Sequence, residues 1–199
     1  MRQEEKEECL YFSLVGTTPL AVANSLSWFL RMKPEFLIKE VFFICSEKDS
    51  AIGVEGTRKN IPKIKKILQE NARKLGLVEF DRIEFNREPV LIPEADLPRA
   101  ASIIAKAILS QLAYTTILDI TAGRKLMSSA SVIAGLYLDR FREREIYFYY
   151  YWLIPYTRDK IKKRAYELGL DDVGLILFKV RDILLNLNHL KGSPDVIDQ

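Results

Sequence analysis

Short apolar runs alternate along the chain with longer segments in which apolar residues recur every three or four positions. Short runs that end at glycine, proline or polar residues are typical of buried strands, and the wider spacing is typical of helices that bury one face. The pattern predicts five strands, over Leu10–Val15, Lys39–Cys45, Arg82–Phe85, Tyr114–Ile120 and Ile146–Ile154. It predicts helices between them, over Leu20–Met32, Ile61–Leu75, Leu97–Leu112 and Leu126–Leu138.

This alternation of strands and helices predicts an α/β fold. We expect a Rossmann-like, mainly parallel sheet of five or six strands with helices on both faces. Residues 9–155 are expected to form this domain, and residues 156–199 to form a mostly helical C-terminal extension of it. In the extension, Arg158–Leu168 and Arg181–Leu190 are predicted to be helical, whereas Val173–Val180 fits either a sixth strand or the start of a helix.

In folds of this kind, ligands bind beyond the carboxyl ends of the strands, where the strand order reverses. We expect the first and fourth predicted strands to be neighbours at that point. The loops at this edge are Gly16–Pro19, Ser46–Gly56, Asn86–Pro93 and Thr121–Lys125. Thr18 precedes Pro19 at the start of a predicted helix, where its hydroxyl is expected to cap free backbone N–H groups.

The loop Thr121–Lys125 is unusual because two cations follow small residues at the start of an apolar helix. A helix N-terminus presents unpaired N–H groups and partial positive charge, and small residues allow a phosphate to approach the backbone. Arg124 and Lys125 would add charge-assisted hydrogen bonds. The alternative, a solvent-facing pair of cations, is disfavoured by the helix dipole. Asp119 is expected to orient the Thr121 loop rather than to bind a metal ion.

The loop Gly16–Pro19 is the predicted partner of this anion site, because its two threonines offer hydroxyls and N–H groups to the same ligand. The alternative is an ordinary capped turn. Neither the dinucleotide fingerprint G-x-G-x-x-G nor the phosphate loop G-x-x-x-x-G-K-[ST] occurs in the sequence. The predicted site therefore differs from both of these common nucleotide-binding loops.

Composition narrows the possible functions. The 199 residues include 30 Lys+Arg and 27 Asp+Glu, and the formal net charge of +3 argues against extended coating of nucleic acid.

No apolar run approaches the ~18 residues that a transmembrane helix needs, and residues 1–8 do not resemble a signal peptide. Cys9 and Cys45 are expected to be buried, reduced thiols of a cytoplasmic protein. A single histidine, His189, argues against a histidine-rich metal site and a histidine-based triad.

A first strand that ends in Gly-Thr-Thr-Pro and a later strand that ends in Asp-x-Thr-Ala-Gly-Arg-Lys-x-Met-Ser resemble the CRISPR-associated Rossmann-fold (CARF) family over residues 9–155. Members of this family bind cyclic oligoadenylates, the second messengers of type III CRISPR antiviral defence, as symmetric homodimers. Many carry a HEPN ribonuclease domain, but Leu184 stands where the motif R-x-x-x-x-H ending at His189 requires arginine. The size of the chain resembles that of stand-alone ring nucleases, which cleave cyclic tetra-adenylate and switch the response off.

The resemblance implies a reaction without a metal ion or other cofactor, in which a ribose 2′-OH attacks the adjacent phosphate and a 2′,3′-cyclic phosphate forms. It implies three catalytic residues: Lys125 stabilises charge or assists the leaving group, Arg124 holds a phosphate, and Thr18 positions the ribose. The implied ligand-binding residues are Gly16, Thr17, Thr18, Ser46, Thr121, Ala122, Gly123, Arg124, Lys125, Met127 and Ser128.

The expected partners are cyclic tetra-adenylate and a second copy of the chain, with the apolar helix Leu126–Leu138 in the dimer interface. No membrane contact and no stable binding of DNA or long RNA is expected. Two alternatives stay open: a sensor that binds the ring without cleaving it, and a transcriptional regulator in which Lys160–Asp182 reads DNA as a winged helix. The aromatic run Tyr147–Trp152 can stack adenines but is more simply a buried strand, and the basic cluster Arg58–Lys66 is more simply a solvated helix face.

Overall fold

The structure is a computed structural model that describes residues 6–49, 53, 55–111, 115–140 and 145–183. These residues form the strands β1 (Glu7–Val15), β2 (Phe36–Ser46), β3 (Glu84–Phe85), β4 (Val90–Ile92), β5 (Thr115–Asp119), β6 (Ile146–Leu153) and β7 (Val173–Lys179). They form the helices α1 (Pro19–Met32), α2 (Ile61–Leu75), α3 (Leu97–Leu109) and α4 (Lys125–Arg140). Short 3-10 turns occupy Arg58–Asn60, Val78–Arg82, Lys160–Lys162, Ala165–Glu167 and Leu170–Asp172.

The strands form one sheet in the order β3-β2-β1-β5-β6-β7, and β4 pairs with β2 further along that strand. All of these pairs are parallel except β6 with β7. The predicted Rossmann-like α/β fold is confirmed, but the described residues contain seven strands rather than five or six. The prediction missed β4, which lies inside the predicted loop Asn86–Pro93. This strand is only three residues long, and it forms because Val90 pairs with Ile44 near the end of β2.

Helices cover both faces of the sheet, as predicted. α1 and α2 pack on one face, and α3 and α4 pack on the other. On the first face, Phe29 contacts Tyr11 and Tyr149 edge-on, with 5.1 Å between ring centroids in each pair. Burial of a large apolar side chain stabilises a fold by about 1.5–3 kcal/mol. The two layers of helices therefore hold the carboxyl edge of the sheet in place from both sides.

α4 approaches the sheet closely at Gly135. A Cβ atom at this position would lie 2.7 Å from Cζ of Phe148 and 3.3 Å from Cδ1 of Leu118. Any larger side chain would push the helix away from β5 and β6, because protein interiors leave no space for an added atom. This close packing holds α4 against β5 and β6.

The segment after β6 returns to the main sheet. Val173–Lys179 is a strand antiparallel to β6, so the strand alternative for Val173–Val180 is the correct one. Residues 180–183 begin a helix. The remainder of the predicted helix Arg181–Leu190, together with His189, lies outside the described residues.

The helix predicted over Arg158–Leu168 is wrong. The structure has short 3-10 turns there, interrupted by extended backbone at Lys163. Asn24 Nδ2 on α1 donates a hydrogen bond of 2.9 Å to the carbonyl oxygen of Lys163, and Ala165 and Leu168 are buried in the core on the α1 and α2 side. These tertiary contacts outweigh the helical spacing of the apolar residues in this segment.

The two cysteines are free and fully buried, as predicted. Burial raises the pKa of Cys9 to about 12 and the pKa of Cys45 to about 11, so both are protonated thiols at neutral pH. Among the described residues, none of the helices combines the length and apolar character that a membrane span requires.

Candidate functional site

The strand order reverses at β1. The chain passes from β1 through α1 to β2 on one side, and β5 pairs with β1 on the other side, with Ser13 opposite Asp119. The first and fourth predicted strands are therefore neighbours, as predicted. Because parallel strands end at the same edge of a sheet, the loops that follow β1 and β5 lie side by side.

These two loops touch through their backbones at Gly16 and Ala122. A Cβ atom at Gly16 would overlap the carbonyl oxygen of Ala122 and lie 3.1 Å from its carbonyl carbon. Only glycine permits this approach. The carbonyl oxygen of Gly16 accepts a hydrogen bond of 2.9 Å from Asn60 Nδ2, which ties the loop to the start of α2.

The buried side chain of Asp119 holds the loop after β5 in place. Its side chain is 1% exposed, and it accepts hydrogen bonds from the Tyr11 hydroxyl at 2.9 Å and from the Ser13 hydroxyl at 3.4 Å. It also accepts one from the backbone N–H of Thr121 at 3.0 Å. Burial raises the pKa of Asp119, and the hydrogen bonds from Thr121 and Tyr11 oppose that rise. The geometry agrees with the prediction that Asp119 orients the Thr121 loop.

The Thr121 hydroxyl links three elements of the fold. It accepts a hydrogen bond of 3.0 Å from the Ser25 hydroxyl on α1 and one of 2.9 Å from the backbone N–H of Tyr151 on β6. The Tyr149 hydroxyl in turn donates to the carbonyl oxygen of Ser25 at 3.2 Å. The Thr121 side chain therefore holds the loop in place against α1 and β6.

Arg124, in the loop after β5, contacts the segments that follow β2 and β4. Its guanidinium forms an ion pair with Glu94, which follows β4, and donates a hydrogen bond of 3.3 Å to the carbonyl oxygen of Glu55 in the loop after β2. The carbonyl oxygen of Arg124 accepts from the N–H of Ser128 at 3.0 Å, which closes the first turn of α4. The predicted pair of cations does lie at a helix N-terminus, but Arg124 is already bound to a carboxylate.

Lys125 differs from its neighbour. It is the first residue of α4 and its side chain is exposed. Within the described part of the chain it has no ion pair or hydrogen-bond partner for its ammonium group. Lys125 is therefore free to bind an anion, whereas Arg124 must first exchange its carboxylate partner.

Thr17 and Thr18 are exposed beside this loop. Thr18 stands at the N-cap position of α1, but its side chain makes no capping hydrogen bond, so the predicted cap is wrong. The helix begins with Pro19, which has no N–H to be satisfied, and this reduces the need for a cap. The Thr18 hydroxyl is consequently available to a ligand.

Two of the predicted site residues, Ser46 and Met127, are buried beneath this surface, and two more, Gly123 and Ser128, are half-buried in it. Ser46 is buried at the end of β2, where its N–H donates to the Thr57 hydroxyl at 3.0 Å. Met127 is fully buried in the core under α4. Gly123 packs against the Ser128 side chain, whose hydroxyl donates to the carbonyl oxygen of Ile120 at 3.4 Å. Ser46 and Met127 therefore support the loops from within the fold.

A cavity of about 450 Å³ opens next to the two loops, between α1, the end of β6 and the 3-10 turns that follow it. We call it the lateral cavity. It is lined by Thr18, Leu20, Ala21, Asn24, Thr121, Tyr150, Tyr151, Trp152, Leu153, Tyr156, Lys160, Ile161 and Lys162. It brings Thr18 and Thr121, from the two predicted loops, into one concave surface.

The sequence prediction missed most residues of this cavity. The aromatic run was expected to be a buried strand, and Tyr149 and Tyr151 are indeed buried, but Tyr150 is 42% exposed and stacks on Trp152 at 6.0 Å between centroids. β6 continues past the last residue of β5, Asp119, so this end of the strand is less covered. The 3-10 turn Lys160–Lys162 forms another wall of the cavity. This wall was missed because a helix was predicted over Arg158–Leu168.

Comparison with known proteins identifies a structural relative. The chain is similar to Enterococcus italicus Csm6 bound to cyclic hexa-2′-fluoro-hexa-dAMP, one of 39 matching chains, with a TM-score of 0.57 and 11% sequence identity. The similarity covers 94% of this chain and 46% of the Csm6 chain, so this chain spans less than half the length of Csm6. At this identity the similarity shows the fold, which matches the CARF fold of Csm6. The sequence matches no protein-family model and no curated protein.

Proposed function

We propose that the protein binds a cyclic oligoadenylate, with cyclic tetra-adenylate as the candidate ligand, on the loops Gly16–Pro19 and Thr121–Lys125. The observation that carries the proposal is the backbone contact between Gly16 and Ala122, which joins the two loops at the N-terminus of α4. The fold supports it, because the similar Csm6 structure holds a cyclic hexanucleotide.

The anionic backbone of such a ring matches the charges at this edge. Lys125 is exposed in the first turn of α4, where the helix dipole and free N–H groups also attract a phosphate. Arg124 is 29% exposed and paired with Glu94. A phosphate would therefore compete with Glu94 for the guanidinium, so Arg124 contributes to binding only after that exchange.

A symmetric homodimer would suit a ring with an even number of repeats. The outer surface of α3 and α4 forms an apolar groove of about 570 Å³. Leu109, Ile133 and Tyr137 line it and are 40%, 44% and 55% exposed. Exposed apolar surface of this kind marks interfaces. We propose that a second copy of the chain covers it.

We further propose that the protein cleaves the ring. The ribose 2′-oxygen would form a bond to the adjacent phosphorus as the bond to the 5′-oxygen breaks. The 2′-OH loses its proton, the 5′-oxygen gains one, and the product ends in a 2′,3′-cyclic phosphate. Lys125 would stabilise the developing charge or protonate the leaving oxygen, and the Thr18 hydroxyl would align the ribose. Asp119 is buried and already hydrogen-bonded, so it would not act as the base, and we expect slow turnover.

The test is incubation of the purified protein with cyclic tetra-adenylate in EDTA, with products identified by mass spectrometry and binding measured by calorimetry. Linear fragments with 2′,3′-cyclic phosphate ends support the whole proposal. Binding without products identifies a sensor instead of a nuclease. Products with 5′-phosphate ends that appear only with Mg²⁺ contradict the mechanism, and absence of binding contradicts the proposed function. A DNA titration of the same sample tests the transcriptional-regulator alternative.

A further inference from the structure

We propose that residues 184–190 of the same chain dock on an apolar surface of the sheet, which we call the β6–β7 face. This face consists of Tyr150, Trp152, Ile176 and Phe178. Alternate residues of a strand share one side of the sheet, so Tyr150 and Trp152 lie on the side of Phe148, which packs against Gly135 of α4. Ile176 is the partner of Tyr150 in the antiparallel register, and Phe178 is the partner of Phe148.

The β6–β7 face is too apolar and too continuous for an ordinary solvent-facing surface. Tyr150 is 42% exposed and Ile176 is 45% exposed, and Trp152 and Phe178 are half-buried beside them. Tyr150 stacks on Trp152, and Phe178 contacts Phe148 with 5.6 Å between ring centroids. Single exposed apolar residues are common, but a contiguous patch marks a surface that another segment covers.

The chain itself leads onto this side of the sheet. β7 ends at Lys179, and the residues that follow begin a helix at Val180. Val180 is fully buried, and Ile183, one turn further, packs against the same core cluster as α3 and α4. The first turn of the helix therefore runs along the α4 side of the sheet rather than away from it.

An ion pair fixes the start of this helix beside α4. Nε of Arg181 lies 3.8 Å from Oδ1 of Asp139, which is 4% exposed and accepts no hydrogen bond there from the described residues. A buried carboxylate is costly without a positive partner, so Arg181 is held in place. Val132 and Leu136, seven and three positions before Asp139, lie on the same side of α4 and are half-buried. They extend the apolar surface beside the helix.

The sequence after Ile183 fits this surface in spacing and in length. Leu184, Leu187 and Leu190 continue the helical spacing of Val180 and Ile183. A helix from Val180 to Leu190 is about 15 Å long, at 1.5 Å per residue. The strand from Val180 back to Ile176 covers about 13 Å. The segment is therefore long enough to bring its leucines over Ile176 and Tyr150, and no separate partner is needed.

A cysteine placed on the face reports whether it is covered. The full chain with Ile176→Cys is treated with a thiol reagent, and the reaction rate is measured. The native thiols give little background, because Cys9 and Cys45 are fully buried. Val78→Cys, at an 83% exposed position, gives the rate of an uncovered thiol. Leu187→Asp is then added to Ile176→Cys, with Leu185→Asp as the matched control. Leu185 lies on the opposite side of such a helix, three positions after the exposed Asp182.

The thiol introduced by Ile176→Cys should react at least about 10-fold more slowly than the one introduced by Val78→Cys. Leu187→Asp should raise its rate at least about 10-fold, the effect of losing one buried leucine, and Leu185→Asp should leave it unchanged. Circular dichroism checks the fold of each variant. If Leu187→Asp does not fold, Leu187→Ala replaces it and should raise the rate several-fold.

Three results would overturn the proposal. The first is a rate for Ile176→Cys equal to that for Val78→Cys, which means that nothing covers the face. The second is an equal effect of Leu185→Asp and Leu187→Asp, which means that the leucines do not face the sheet. The third is protection that disappears on dilution, which assigns the cover to a second copy of the chain.

Discussion

The guanidinium of Arg124 is held by the carboxylate of Glu94, which is 8% exposed and lies just after β4. This pair joins the loop after β5 to the loop after β4 at the edge where the phosphates are proposed to bind. The Glu94 carboxylate therefore binds the same guanidinium group that a phosphate of the ligand would bind. The affinity of the site for an anion is therefore set by competition between Glu94 and the ligand.

Replacing Glu94 by glutamine should strengthen binding of cyclic tetra-adenylate. Glutamine keeps the size of the side chain but removes the charge, so Arg124 becomes available to phosphate. A several-fold gain in affinity, measured by calorimetry, is the expected result. Arg124→Ala should weaken binding. The control is Glu88→Gln, which removes a carboxylate from the exposed pair with Arg58. If Glu94→Gln binds the ring no more tightly than the wild-type protein does, Arg124 only holds the loops together and does not bind phosphate.

Replacing Lys125 by alanine should slow cleavage more than it weakens binding. Its ammonium would act on charge that develops in the transition state, and removal of one such contact typically costs about 10²–10³-fold in rate. Single-turnover rates and dissociation constants for cyclic tetra-adenylate measure the two effects separately. Lys74→Ala, an exposed lysine in the last turn of α2, is the control. A wild-type cleavage rate for Lys125→Ala would remove Lys125 from the mechanism.

Replacing Gly16 by alanine should destabilise the protein and abolish ring binding. The added methyl group would overlap the carbonyl oxygen of Ala122 and force the two loops apart. Overpacking of this kind costs about 1–3 kcal/mol in free energy of unfolding. Gly169→Ala is the matched control, because its Cβ would lie 3.6 Å from the nearest atom, Oδ2 of Asp172. Chemical denaturation and calorimetry measure both effects, and unchanged values for Gly16→Ala would contradict the contact.

Asp119 should give the stability of the protein a specific pH dependence. Burial raises its pKa in the folded state, so folding favours the protonated carboxyl. This contribution is fully present below the ordinary pKa of aspartate and is lost as pH rises through the raised pKa of the folded state. Asp119→Asn cannot titrate. The free energy of unfolding of the wild-type protein, relative to this variant, should therefore rise as the pH is lowered from neutral towards the ordinary pKa of aspartate. A constant difference across that range, by urea denaturation, would contradict the direction of the shift.

The groove between α3 and α4 should hold the two copies of the dimer together. Ile133→Glu places a charge on apolar surface that is proposed to be buried, so it should produce a monomer and lower the affinity for the ring. Val78→Glu changes an exposed position outside the groove and should leave the dimer intact. Light scattering at micromolar concentration measures the mass. A wild-type monomer would contradict the proposed dimer, and an unaffected Ile133→Glu dimer would place its interface elsewhere.

Much of this architecture is encoded locally in the sequence. The apolar runs at β1, β2, β5 and β6 and the helical spacing of α2 predicted these elements, because the period of burial depends on backbone geometry alone. The Thr-Ala-Gly-Arg-Lys stretch predicted a cation pair at the start of α4, since small residues, cations and the following apolar spacing are all local signals. The sequence also predicted that β1 and β5 are neighbours, because the connection rules of parallel sheets favour that strand order.

The tertiary structure decided what depends on distant segments meeting. No local signal shows that Arg124 is bound to Glu94, 30 positions away, or that the carbonyl of Lys163 is bound to Asn24, 139 positions away. The second contact replaces a predicted helix by short turns and so builds a wall of the lateral cavity. Hydrogen bonds and ion pairs between remote residues depend on where the sheet places the loops. The local pattern therefore determined which elements form, and their packing decided which charges are free and where the lateral cavity lies.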